Sequence, residues 1–130
     1  MDFDFTTEQE AFRAEVETFL NANDDPDVFD PTRENMAQIV DTPKRRALMK
    51  KMGEQGWLGI TWPKEYGGAG LTPIEQFIFK QEMTLAGAPG VGGQGVSQLG
   101  PTIIVHGTEE QKAEHLSKIL SGEVNWQQGY

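Results

Sequence analysis

The chain has 130 residues, room for one hydrophobic core and too little for two ordinary domains. Eleven Lys and Arg against 20 Asp and Glu leave a formal charge of −9, which repels the phosphates of nucleic acid. There is no cysteine, so disulfides, thiolate nucleophiles and cysteine metal sites are excluded. No stretch approaches the roughly 20 apolar residues needed to cross a bilayer. The N-terminal MDFDFTTEQE is acidic where a signal peptide is basic and then apolar, so the reading is a cytoplasmic protein without a membrane partner.

Helix starts are well marked along the chain. Thr6 precedes an acidic turn with Gln9 three residues on, a pattern for reciprocal capping of a helix that runs to about Asn21. Phe5, Phe12, Val16, Phe19 and Leu20 fall near one face. Residues 21–42, rich in Asp and Pro, read as an acidic connector with a short helical turn around Met36 to Val40. Thr42-Pro43 opens a second helix, because Pro at the first helical position gives up an amide hydrogen that has no partner there anyway. Leu48, Met49 and Met52 are its apolar side, and Gly53 or Gly56 ends it.

Gly56 to Gly70 is a loop, yet Trp57, Leu58, Ile60 and Trp62 are too apolar to be solvated and are expected to pack on the helices. Thr72-Pro73 with Glu75 repeats the capping pattern and starts a helix to about Leu85. Ile74, Phe77, Ile78, Phe79, Met83 and Leu85 make it apolar nearly all round, which predicts a fully buried helix. A Gly-rich turn at 87–95 leads to a helical stretch over Val96 to Val105, with Gly100-Pro101 inside it. Thr108 with Gln111 caps the last helix, which Ser121-Gly122 stops. From Glu123 the pattern becomes extended, with Val124, Trp126, Gln128 and Tyr130 on one face.

Few motifs carry chemistry. Gly90 to Gly95 satisfies G-x-G-x-x-G, but Gly87-Ala88-Pro89 after a helix stands where a dinucleotide site needs a strand, so an interhelical loop is the better reading. His106 and His115, nine residues apart, have no partner at metal-binding spacing. The serines at 97, 117 and 121 lack a placed base, and no catalytic residue is assigned.

The strings GWLGITWPKEYGGAG (56–70), GPTIIVHGTEEQK (100–112) and LSGEVNWQQGY (120–130), with FDFTTEQEAFRAEVETFL (3–20), resemble the N-terminal domain of acyl-CoA dehydrogenases in order and separation. The resemblance implies an all-α fold of about five helices with a short terminal β segment. Residues 1–122 are then the helical domain and 123–130 the first strand of a middle β domain. It implies FAD and an acyl-CoA substrate, desaturated at the α and β carbons in fatty acid or sterol side-chain oxidation. It also implies that middle and C-terminal domains complete the site, in a homo- or hetero-oligomer. Gln128, Gly129 and Tyr130 match positions against the flavin, and Gln98, Leu99 and Gly100 match the helix lining the acyl cavity. The family's carboxylate base has no counterpart here, so the chain alone is expected to be inactive. The alternative is a noncatalytic helical interaction module derived from that family.

Overall fold

A computed structural model describes residues 3–32 and 41–130, which fall into two compact units. The helical turn expected around Met36 to Val40 lies outside the described residues. Among those residues the chain is all-α: five α-helices and no strand.

The first unit is built on α1 (Thr7–Ala22) and α3 (Pro73–Leu85), which pack together. Both begin with a complete capping box. The Thr6 hydroxyl accepts from Gln9 N (3.2 Å) while Gln9 Oε1 accepts from Thr6 N (2.9 Å), and Thr72 and Glu75 do the same for α3. Each box satisfies two amide hydrogens that no helical carbonyl can reach. Val16 and Leu20 of α1 are buried, as are Ile78, Phe79 and Met83 of α3. Arg13 on α1 donates from Nε to Oε1 of Glu82 on α3 at 3.0 Å, with Glu17 3.4 Å away. The acidic connector folds locally through its own carboxylates: Asp25 Oδ1 accepts from Asp27 N, and Asp30 Oδ1 from Thr32 N, each at 2.9 Å.

One expectation fails on α3. Ile74, Phe77 and Leu85 are 50%, 58% and 71% exposed, whereas Glu82 is buried. Apolarity all round predicts burial only when neighbours cover every side. In this unit α1 and Arg13 receive the side that carries Ile78, Phe79 and Glu82.

The second unit holds α2 (Pro43–Glu54), the apolar loop, α4 (Gly100–His106) and α5 (Glu109–Leu120). Thr42 caps α2 by accepting from Arg45 N (3.2 Å), with Pro43 first in the helix. Trp57, Leu58, Ile60 and Trp62 are buried as their composition requires. The loop doubles back, with Ala69 N donating to Gly59 O (3.1 Å), Leu71 N to Ile60 O (2.9 Å) and Gly70 N to Trp62 O (2.9 Å). Gly68 permits that return, since a Cβ there would lie 2.1 Å from the Trp62 carbonyl oxygen. α4 and α5 pack on each other, and Thr108 and Gln111 complete a third capping box.

Residues 124–130 form no strand. A strand needs a neighbour to take its ladder hydrogen bonds, and none runs beside this segment among the described residues.

Candidate functional site

The second unit centres on a buried cluster of Trp62, Ile103, Leu116, Ile119 and Leu120. Half-buried Tyr66, Val96, Leu99, Ile104 and Trp126 pack around it. Leu99, from the helical segment, and Trp126, from the terminal run, therefore rest on one apolar base.

The helical stretch expected from Val96 contains an irregularity that the sequence did not reveal. Gly95–Leu99 is a single π-turn preceding α4, closed by a hydrogen bond from Gly100 N to Gly95 O. A π-turn inserts one residue into the helix, which rotates the side chains before it relative to those after it. Gln98 is exposed on this turn, Leu99 is half-buried, and Gly100 is buried. The Gln98 carbonyl accepts from Thr102 Oγ1 at 2.8 Å. Trp62 lies against the turn: its Nε1 donates to Val96 O at 3.1 Å, and a Cβ on Gly100 would be 2.0 Å from its ring.

The terminal run is held at its start, where Val124 N donates to Lys118 O at 3.2 Å, and at Trp126, which packs on the cluster. His115 of α5 meets Trp126 edge to face, with ring centroids 5.6 Å apart and planes at 86°. Beyond Trp126, Gln128, Gly129 and Tyr130 are exposed, and Tyr130 Oη donates to Gln128 Oε1 at 3.0 Å. Nothing lies within 4 Å of a Cβ built on Gly129. The contact of His115 with Trp126 was missed in the sequence, where the histidine was weighed as a metal ligand. α5 ends at Leu120, between the two residues, so no single helical or strand period could have signalled it.

Charged groups near the cluster act locally. Lys112 is held above its ordinary pKa chiefly by its hydrogen bond to Glu109, and its ammonium lies 5.4 Å from the centre of the Tyr66 ring. Glu110 is held below its ordinary value by its own backbone amide and the Thr108 hydroxyl at the start of α5. Among the described residues no three His, Asp or Glu gather as metal ligands would. A groove of about 690 Å³ is lined by Arg46, Lys50, Tyr66, Ser117 and Leu120, and none of the six expected site residues lines it.

These features define a helical domain with an apolar core, one irregular helix and an exposed terminal run, rather than a clustered catalytic centre. Residues 6–123 match the profile of the family described as acyl-CoA dehydrogenase, N-terminal domain, and the chain belongs to that family. The acyl-CoA dehydrogenase FadE29 of Mycobacterium tuberculosis is 38% identical over all 130 residues, which cover 32% of its length. The ChsE4–ChsE5 complex of the same organism superposes with a TM-score of 0.79 at 33% identity, over 96% of this chain and 30% of that one. A structure titled Tcur3481–Tcur3483 steroid ACAD gives 0.75 at 38% identity, over 95% and 31%. The chain thus spans about a third of the curated relatives it matches. No helix among the described residues is long and apolar enough to cross a membrane.

Proposed function

We propose that these residues form the substrate-side helical wall of an FAD-dependent dehydrogenase that desaturates acyl-CoA thioesters between the α and β carbons. The observation that carries this reading is the family match over residues 6–123, with sequence likeness extending along the whole chain. Residues 1–122 are the helical domain, and 123–130 supply the first strand of the β domain that follows it in the family. In that arrangement the ladder bonds left open at 125–130 find their partner.

The terminal run suits a flavin. Gly129 has open space around its α-carbon, so a flat ring can approach the backbone, and Tyr130 and Gln128 offer an exposed ring and amide beside it. Gln128, Gly129 and Tyr130 would hold FAD, which would supply a hydride acceptor for the β carbon. Gln98, Leu99 and Gly100 line the acyl cavity, with Gln98 exposed, Leu99 half-buried on the apolar core and Gly100 letting the Trp62 ring pack directly behind the turn. No residue of this chain is assigned removal of the α proton. That step needs a desolvated carboxylate placed at the substrate, which the family carries in its C-terminal bundle.

The acyl group is a steroid-linked thioester on this reading, since one matched structure is titled a steroid enzyme. The paired names in both structure titles support a hetero-oligomer. A graft tests the proposal: residues 1–130 replace the matching segment of FadE29, and the purified chimera is assayed for bound FAD and for acyl-CoA-dependent reduction of a dye. Stoichiometric flavin and desaturation of a steroid-linked acyl-CoA are expected. A folded chimera that binds flavin but oxidises no acyl-CoA refutes the reading, as does flavin-dependent desaturation by the 130-residue chain alone.

A further inference from the structure

The π-turn poses a hydrogen-bonding problem. In an α register the Val96 carbonyl would accept from Gly100 N, but that amide is committed to Gly95 O. In a π register it would accept from residue 101, which is proline and has no amide hydrogen. The carbonyl is therefore denied a backbone donor in either register. The indole Nε1–H of Trp62 supplies one at 3.1 Å, from a side chain that is 4% exposed.

Trp62 is itself rigidly placed. Its backbone oxygen accepts from Gly70 N, its backbone N donates to Gly59 O, and Gly68 passes against its carbonyl. Its ring lies where a Cβ on Gly100 would stand, and it belongs to the cluster formed with Ile103, Leu116, Ile119 and Leu120. A residue 34 positions upstream thus holds the helical bulge from both its carbonyl and its α-carbon side. Without the indole proton, a helix at 95–106 gains by moving the bulge to another position, because the Val96 carbonyl would then be a half-buried acceptor without a partner. Each shift of register by one residue swings Gln98 and Leu99 by roughly 100° about the helix axis.

We propose that Trp62 is a positioning residue that determines acyl specificity: its indole N–H locks the π-turn in register and so fixes which of Gln98 and Leu99 faces the substrate. This rests on the reading that residues 98–100 line the acyl cavity, but the locking itself does not.

Two measurements on the 130-residue chain test the locking. In the unaltered protein, amide and indole hydrogen exchange by NMR is expected to show the Trp62 indole proton at least 10-fold more protected than that of half-buried Trp126. Equal exchange of the two overturns the proposal. Trp62→Phe keeps a ring and removes the proton, and is expected to speed exchange of the Gly100 amide at least 10-fold. Pro101→Ala returns a backbone donor to the π register, so the double variant Trp62→Phe/Pro101→Ala is expected to restore Gly100 exchange to within about 3-fold. Failure of Trp62→Phe to alter the exchange, or an equal loss with and without Pro101→Ala, makes Trp62 core filling only and overturns the proposal.

Specificity is read in the chimera. Trp62→Phe is expected to change the ratio of kcat/KM for a steroid-linked against a short straight-chain acyl-CoA by at least 5-fold. Ile103→Val, a core change in the same cluster, is expected to leave that ratio unchanged. An unchanged ratio in Trp62→Phe overturns the specificity role. A chimera inactive before any substitution overturns the acyl reading and that role with it, while the exchange results stand or fall separately.

Discussion

Replacing Gly100 with Ala places a methyl 2.0 and 2.1 Å from two ring carbons of Trp62 and 3.0 Å from the Gly95 carbonyl oxygen. Carbon atoms in ordinary contact sit about 3.5–4.0 Å apart, so methyl and ring must separate by roughly 1.5 Å. The ring has nowhere to retreat. It is packed within the cluster with Leu116 and Ile119, and the Gly59 backbone is close enough that a Cβ there would lie 3.3 Å from it. Overpacking costs about 1–3 kcal/mol, and breaking the bond to Val96 O adds about 1–3 kcal/mol by leaving a shielded carbonyl unpaired. Better helix propensity returns about 1 kcal/mol. The net expectation is a loss of about 1–5 kcal/mol, measured by urea unfolding monitored through tryptophan fluorescence and circular dichroism. Gly90→Ala is the control, because a Cβ there meets nothing within 4 Å, and it is expected to stay within about 0.5 kcal/mol of the parent. Equal midpoints for Gly100→Ala and the parent would refute the claim that Trp62 is immobile above the turn.

Thr108→Ala removes the hydroxyl that accepts from Gln111 N, and urea unfolding is expected to show a loss of about 1 kcal/mol. Arg13→Ala leaves the buried Glu82 without its arginine; because Arg13 is itself partly exposed, the expected loss is about 1–3 kcal/mol. Most of that loss is expected to return in Arg13→Ala/Glu82→Leu, and a double-mutant cycle with no coupling would contradict the pairing. Glu110 has a folded pKa below its ordinary 4.5, so its stabilising contribution is present above that pH and disappears as pH falls through the folded value. An NMR titration is expected to place its midpoint below 4.5 and to raise it in Thr108→Ala; a midpoint at or above 4.5 in the parent contradicts the assignment.

Local chemistry was legible in the sequence. Threonine followed at three residues by Gln or Glu marks the starts of α1, α3 and α5, and Thr-Pro marks α2, because capping is settled within one turn of backbone. Trp57 and Trp62 read as core because apolar groups that large rarely remain in water. The exposure of Ile74, Phe77 and Leu85 was not legible, since a helix records which residues are apolar and not which neighbours arrive to cover them. Nor was the partner of Glu82, 69 residues away in the chain. Of the expected site, the residues of both segments could be named from the chain itself, but the turn that orients Gln98 and Leu99 is not a property of their own sequence.

The amino-acid order by itself determined the helical class, the helix starts and the family, since each depends on neighbouring residues or on strings that can be read directly. The tertiary structure alone decided the bulge at 95–99. A π-turn and an α-turn at those residues differ by the fate of one carbonyl, and that fate rests on an indole proton brought from residue 62 by the folding of a loop.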